Sequence, residues 1–457
     1  MPPPWGEAIL VAIMRRMRRI LLAGLWISLY VLLTLSPILV LLIGVRPAGR
    51  ELWRDFSVAL GYCGLAMWML QFVLTARFKT IKSPFGSDAI YYFHRQISLA
   101  SFLLVLVHPL ILFVFSPALL SLLNPVTAPW RARMGMAGLA ASAALILTSV
   151  FRRAWKIEYT RWRVWHGILA VLAVGLAFSH VYLAGYYLNT PWKRELWIVY
   201  SAFWIGLLLW VRVLKPWSLL ANPHVVSRVA AERGGATSLF LKKPKGAVAR
   251  FLPGQFAWLT AGASPFADAE HPFSISSSAE ERREICFTVK ELGDFTSRIR
   301  HLAPGSMVYV DGPFGAFSCD RHPHAEGFLF VAGGIGVTPI MSMLRTLADR
   351  GDRRPLVLLY ANRTWEAVTF REEIEGLGAR LNLRVVHVLE KPPDGWTGAR
   401  GFVTEDLIRS QLPAARRPNE WEVFLCGPPP MMDAVERSLG RLGVSPGDIH
   451  SERFNLV

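Results

Sequence analysis

Six apolar stretches, each long enough to cross a bilayer, fill the first half of this chain and restrict its fold more than any other feature. They lie near residues 20–44, 56–76, 93–115, 134–151, 164–186 and 195–213, and about 20 predominantly apolar residues in a helix span the hydrocarbon core. A backbone surrounded by lipid must satisfy its own polar groups, so these stretches read as transmembrane helices. The charge supports that reading. Residues 1–220 carry 22 Lys+Arg against 6 Asp+Glu, whereas residues 221–457 carry 28 against 27, so nearly all of the net +17 belongs to the apolar half. Basic residues placed between apolar stretches predict a lipid bilayer as partner and no nucleic acid. With the N-terminus in the cytoplasm, 15 of the 22 face inward and 7 outward. That asymmetry leaves the C-terminal half cytoplasmic, beneath a plasma or inner cell membrane. Four arginines near the N-terminus lead into a span too long for a signal peptide, so the first helix is expected to be retained.

After Lys215-Pro216-Trp217 the texture changes. Short β-like runs such as SLFLKK, FAWLTA and EICFTVK are broken by Gly and Pro. From about residue 325, strands alternate with helices (FLFVAGGIGVTPIMSMLRTLADR, LVLLYANR, WEVFLCGPPPMMDAVERSL), the pattern of a parallel sheet. The expected fold is a multi-domain membrane protein with a six-helix transmembrane bundle over 1–215. A small antiparallel β-barrel follows over 221–320, then an α/β parallel-sheet domain over 325–457. Cys63, Cys286, Cys319 and Cys426 are widely spaced, with no CxxC pair to support a disulfide framework or a cysteine zinc site.

Histidine is unusual in such spans, yet the third contains His94 and His108 and the fifth His166 and His180, each pair fourteen residues apart. Fourteen residues make just under four helical turns, so both rings of a pair project from nearly one face, about 21 Å apart along the axis. Spans three and five run parallel, which sets His94 level with His166 and His108 level with His180. A single membrane histidine is more often a hydrogen-bonded interhelical contact or an interfacial residue than a metal ligand. The repeated spacing is not, and two facing pairs at two depths are what two stacked bis-histidine haems require. A single tetrahedral zinc or copper site cannot draw on ligands so far apart.

The cytoplasmic half carries phosphate-type turns. KELGDFTSRI holds Gly293, Asp294, Phe295 and Thr296, where glycine and a hydroxyl let backbone N–H groups approach a pyrophosphate. HPFSISS, residues 271–277, offers an aromatic beside a serine, suited to stacking on and hydrogen-bonding a flavin ring. VAGGIGVTPI places Gly333, Gly334 and Gly336 between strand and helix, a site for a dinucleotide phosphate. LLYANRT ends a strand with Arg363, which fits a ribose 2′-phosphate and hence NADPH, a solvated loop arginine and NADH being the alternatives. LCGPPPMM sets Cys426, Gly427 and Pro428 at a further strand end, where such sheets bind ligands. Each of these turns alone also fits an ordinary loop.

HPFS, GDFT, DGPFG, GGIGVTP and CGPPP, in that order, resemble the ferredoxin–NADP reductase-type flavin module. With the six spans and paired histidines before them, the chain from about residue 20 onward resembles the NADPH oxidase and ferric reductase superfamily, in its prokaryotic NADPH oxidase-like form. The resemblance implies FAD, two b-type haems and NADPH as cofactors. His271, Pro272, Phe273 and Ser274 would form the flavin segment, with Ser274 near the flavin N5, and Gly293, Asp294 and Thr296 would lie at the FAD phosphates. Gly333, Gly334, Gly336, Thr338 and Pro339 would take the NADPH pyrophosphate, with Arg363 at the ribose and Cys426, Gly427 and Pro428 near the nicotinamide. Phe454 matches the C-terminal aromatic that covers the flavin. Electrons would pass from cytosolic NADPH through FAD and the haems to an outer acceptor, oxygen giving superoxide as the first reading and a ferric chelate as the alternative. Leu112 stands where superoxide-producing members can carry a further histidine, which weighs against oxygen. A haem-free transporter or channel with a flavin regulatory domain is the rival from another class. The absence of an EF-hand loop or Pro-rich tail predicts activity without an obligatory regulatory subunit.

Overall fold

The computed structural model describes residues 5–44, 48–78, 87–266, 270–413 and 420–454. The chain divides into two compact units, one of residues 21–78 and 89–214 and the other chiefly of residues from Lys215 onward.

Six membrane-spanning helices of a multi-pass membrane protein supply the first unit, α1 from residue 21 and α3 from residue 89 onward: α1 (Trp5–Leu42), α2 (Leu52–Thr75), α3 (Ser87–Phe115), α4 (Trp130–Val150), α5 (Tyr159–Ala184) and α6 (Pro191–Leu209). Helices two, four and five begin about four residues before the apolar stretches that announced them. Their first turns contain Trp53 and Arg54, Trp130 and Arg131, and Tyr159 and Arg161, residues that suit the headgroup layer, where a helix continues although its hydropathy has fallen. The interior is aromatic, with Tyr62, Trp68, Phe178, Trp197 and Trp204 buried together. Outward faces leave Leu103, Val114 and Phe203 more than half exposed, as lipid contact requires. Small residues set the closest approaches. A Cβ at Gly64 would lie 3.2 Å from the Ser101 carbonyl, and one at Gly138 3.5 Å from the Ala173 carbonyl. Beyond α6, one π turn (Trp210–Leu214) precedes the short α7 (Lys215–Ala221).

The second unit opens with strands β1 (His224–Glu232), β2 (Ala236–Lys242), β3 (Phe256–Ala261), β4 (His271–Ser274), β5 (Glu284–Lys290) and β6 (Met307–Phe314), with helix α8 (Asp294–Ile299) between the last two. All pair antiparallel in the order β4-β3-β6-β1-β2-β5. A bridge between Ile275 and Phe287 brings β5 beside the end of β4 and closes the barrel. Leu239, Leu241, Leu259, Phe287 and Val308 fill it. An ion pair of 2.7 Å between Lys215 and the buried Asp311 fastens α7 to β6.

His224, at the start of β1, is 6% exposed, and its Nδ1 has no hydrogen-bond partner among the described residues. Burial, then the nearby Lys243 cation, pushes its pKa down to about 4. The ring is therefore neutral in the fold, whereas in the unfolded chain it takes a proton near pH 6.5. Stability should fall as pH drops from about 6.5 to 4, by at most about 3 kcal/mol. His224→Leu is expected to flatten that acid limb in thermal unfolding across this window; an unchanged limb would show that His224 does not set it.

The α/β layer follows with β7 (Gly327–Gly333), α9 (Val337–Asp349), β8 (Leu356–Asn362), α10 (Arg371–Leu377), β9 (Leu383–Leu389) and β10 (Ala399–Arg400). It ends with α11 (Glu405–Gln411), β11 (Trp421–Cys426), α12 (Pro429–Arg441) and β12 (Ile449–Ser451). All its strands are parallel, in the order β10-β9-β8-β7-β11-β12. The order reverses between β7 and β11, and a crevice at that switch point is where such sheets bind ligands. Helix α9 seats the barrel on this sheet. Ser342 donates to the Ser277 carbonyl (2.8 Å), the Ala279 N–H donates to Thr346 (2.9 Å), and Arg345 reaches the Ser276 carbonyl while forking onto Glu373.

Candidate functional site

In the membrane unit, helical periodicity sets the two histidines of α3 and the two of α5 on facing stripes. The rings of His94 and His166 lie 6.4 Å apart, centre to centre, and those of His108 and His180 lie 6.3 Å apart. An iron between two imidazoles needs two bonds of about 2 Å, plus about 1 Å from each nitrogen to its ring centre, about 6 Å in all. Both pairs have that separation.

The remaining ring nitrogens are turned away from the gap. The Nδ1 of His94 meets the Gln71 Oε1 at 2.6 Å, and that of His180 meets the Arg131 carbonyl at 2.6 Å. His108 Nδ1 lies 2.8 Å from the Ser57 hydroxyl and 2.9 Å from its carbonyl, and His166 Nδ1 lies 3.2 Å from the Ser149 hydroxyl. The serine hydroxyls donate to the His108 and Leu145 carbonyls, so their oxygens accept from the rings. Every Nδ1 is thus a donor, which leaves each Nε2 with a lone pair for a metal. Metal-binding histidines are ordinarily oriented in this way. Glycines make room for the outer pair: a Cβ at Gly61 would lie 3.4 Å from the His108 ring, and one at Gly135 2.9 Å from His180 Nδ1.

In the second unit the fold brings HPFS and GDFT together. The Phe295 ring, from the start of α8, stacks on His271 at 4.1 Å and lies nearly parallel to Phe273 at 5.8 Å. Pro272 pairs with Trp258 in the β3–β4 ladder, and Ser274 is buried. Thr296 accepts from the Leu292 and Gly293 N–H groups and donates to the Gly293 carbonyl, so its hydroxyl shapes the turn, with Gly293 and Asp294 exposed beside it.

The nicotinamide-type motifs meet at the switch point. A Cβ at Gly333 would lie 2.6 Å from Pro428, one at Gly427 3.0 Å from the Gly333 Cα, and one at Gly336 2.9 Å from the Gly427 Cα. These three glycines let the ends of β7 and β11 touch. Gly334 instead holds φ at +53° and faces open space, the geometry of a residue that leaves room for a ligand. Thr338 donates to the Ile335 carbonyl and, with Pro339, is buried at the start of α9. Cys426 is fully buried, and burial followed by the Glu452 carboxylate raises its pKa, so the thiol stays neutral. Arg363 is exposed past β8, Arg371 stacks over Trp365 at 4.7 Å, and Phe454 is 38% exposed after β12.

Ser57, Gln71, Ser149, the Arg131 carbonyl, Gly61 and Gly135 had not been singled out from the sequence. Neither had Arg212, whose guanidinium lies 2.6 Å from where a Cβ at Gly167, next to His166, would stand. Polar residues within apolar spans were a usable signal for Ser57 and Gln71. A backbone carbonyl leaves none.

Comparison with known proteins assigns the parts. Residues 60–177 match the family model of a ferric reductase like transmembrane component, residues 226–318 that of an FAD-binding domain, and residues 330–437 that of an oxidoreductase NAD-binding domain. NADH-cytochrome b5 reductase 1 of Pyricularia oryzae is 35% identical over 155 residues, 33% of this chain and 49% of that protein. The Arabidopsis thaliana NADH–cytochrome b5 reductase 1 is 32% identical over 168 residues, 36% of this chain and 59% of that protein. The chain thus spans about half the length of these curated relatives. Among solved structures, the cytochrome b5 reductase domain of Ulva prolifera nitrate reductase is similar with 22% identity and a TM-score of 0.45, covering 50% of this chain and 97% of that one.

Proposed function

The chain has the ferric reductase/NADPH oxidase-type architecture, and from that premise we propose that it draws electrons from NADPH on the cytoplasmic side and delivers them to an acceptor outside. His94 with His166, and His108 with His180, would each hold one b-type haem. His271, Pro272, Phe273, Ser274, Gly293, Asp294 and Thr296 would hold FAD, and the Gly333–Pro339 and Cys426–Pro428 turns NADPH, with NADH the alternative donor. The observation that carries this reading is the two facing imidazole pairs, 6.4 and 6.3 Å apart centre to centre, with every Nδ1 bonded away from the space between them.

FAD, when bound, would supply hydride acceptance and its division into single electrons, and haems held by the histidine pairs would supply one-electron transfer across the lipid. The residues position and insulate. Gln71, Ser57, Ser149 and the Arg131 carbonyl fix the ring tautomers, so that no proton competes for the ligating nitrogens. Phe295 braces His271 and Phe273 at the flavin edge, and Phe454 is free to cover the ring until the nicotinamide arrives. Cys426, a neutral thiol, adds no charge beside the hydride path. Activity would need no regulatory subunit.

A dithionite-minus-oxidised spectrum of the purified protein should show the Soret and α bands of bis-histidine haem at about two haems per chain. A missing Soret band would sink the reading and favour the haem-free transporter or channel. Oxygen, reduced to superoxide, is the first reading of the acceptor. Leu112 on α3 favours a second, the reduction of ferric chelates. Superoxide formation that ferric chelates fail to outcompete supports the first; slow reoxidation by oxygen supports the second.

A further inference from the structure

Among the described residues, one group of three ligand-type side chains lies close enough to hold a metal ion: His322, Glu422 and His450. The haem, flavin and nicotinamide assignments make no use of it. Its members come from three segments that only the fold brings together. His322 closes the short turn between β6 and β7, Glu422 is the second residue of β11, and His450 is the middle residue of β12. The Glu422 carboxylate, 3% exposed, reaches His322 Nδ1 with one oxygen at 2.8 Å and His450 Nε2 with the other at 2.7 Å. All three ligand atoms lie within 4.8 Å of one another. The Phe424 ring packs 4.9 Å from the His450 ring and 5.8 Å from that of His322, so one wall of the cluster is apolar.

We propose that this cluster binds a divalent first-row transition cation, with zinc the best match to its donors. Two imidazole nitrogens and one carboxylate oxygen form a borderline N2O set, typical of zinc, and leave a fourth position for water. Ligand atoms bound to one ion at about 2 Å each cannot be more than about 4 Å apart. The separations in the fold therefore need only small ring rotations to close on an ion. Each imidazole would shift its remaining proton to the nitrogen away from the cation. A carboxylate this deeply buried requires a compensating positive charge, which the cation supplies without protonating either ring.

The site would fasten the sheet edge. Strand β12 has three residues and, among the described residues, pairs only with β11, Phe424 opposite His450. It leads directly to Phe454. A cation shared by Glu422 and His450 would cross-link the two strands, and His322 would tie in the connection from the barrel.

The test uses the full-length protein loaded with FAD and haem. It is incubated with a small excess of ZnCl2, passed through gel filtration and analysed for zinc and iron by mass spectrometry. The native protein is expected to retain about one zinc per chain, counted separately from haem iron. Glu422→Gln, which keeps the size of the side chain but removes its charge, and His450→Gln should each lower zinc retention about tenfold or more. Retained FAD shows that the variants are folded. As a second readout, zinc should raise the unfolding midpoint of the native protein and leave that of Glu422→Gln unchanged. Zinc retained equally by native protein and both variants, or by none of them, would overturn the proposal in favour of a metal-free His–Glu–His hydrogen-bond triad.

Discussion

Protein carrying His108→Leu or His180→Leu is expected to purify with one haem per chain instead of two, its Soret absorbance falling by about half. Leucine fits the apolar interior without a ligand atom, and the partner imidazole 6.3 Å away is left to hold iron from one side only. NADPH-driven reduction of FAD should be unaffected, because no part of the second unit is altered. Under the proposed electron path, reduction of an acceptor outside the membrane should fall about 100-fold or more, because the path then lacks its outer relay. Haem content by pyridine haemochrome, with flavin reduction followed separately, checks all three outcomes. A variant that kept two haems would refute the assignment of the outer pair. Gly135→Val should produce a milder form of the same defect, since its side chain would press on the His180 ring, 2.9 Å from the Cβ position.

Gly336→Ala is expected to weaken the nucleotide domain by about 1–3 kcal/mol, the usual cost of forcing one more carbon into packed space. Its backbone is helical, with φ at −60°, so the obstacle is not conformation. The added carbon would be driven against the Cys426 carbonyl and to 2.9 Å from the Gly427 Cα. Parting the β7 and β11 ends should also displace the turns that would receive the nicotinamide, so NADPH-driven flavin reduction should slow at least about tenfold. Gly334→Ala is the informative comparison. Nothing lies within 4 Å of its Cβ, yet φ is +53°, so the expected cost is the left-handed backbone penalty of about 1–2 kcal/mol. Thermal unfolding and stopped-flow flavin reduction separate the two. Native behaviour in Gly336→Ala would mean that this junction tolerates a side chain and does not set the nucleotide turns.

Much of this was legible in the sequence because the relevant signals are local. Apolar length marks a span wherever the residues occur, and fourteen residues bring a helix almost back to the same face, so the depth and direction of His94, His108, His166 and His180 follow from numbering alone. The change from alternating strands to strand–glycine–helix units announced the barrel and the parallel sheet in their order. Helix starts were less legible: α2, α4 and α5 begin in aromatic and basic turns that suit a headgroup layer, which a search for apolar residues passes over.

The chain alone determined the six spans, the two levels of paired histidine, the sequence of barrel and parallel sheet, and the glycine turns at strand ends. Tertiary structure alone decided what surrounds them. Within lipid no hydrophobic pattern marks which helix faces meet, so the pairing of Gln71 and Ser57 on α2 with the α3 histidines, and of Arg131 and Ser149 on α4 with those of α5, emerges only when small residues let the helices close. The same holds in the second unit. Gly333 and Gly336, read from the sequence as pyrophosphate glycines, and Gly427, read as lying near the nicotinamide, are also the points where the ends of β7 and β11 touch, and His322, Glu422 and His450 become neighbours only through sheet pairing and chain reversal. Periodicity is a property of one segment, whereas a coordination shell joins several, and their meeting depends on packing that no single stretch encodes.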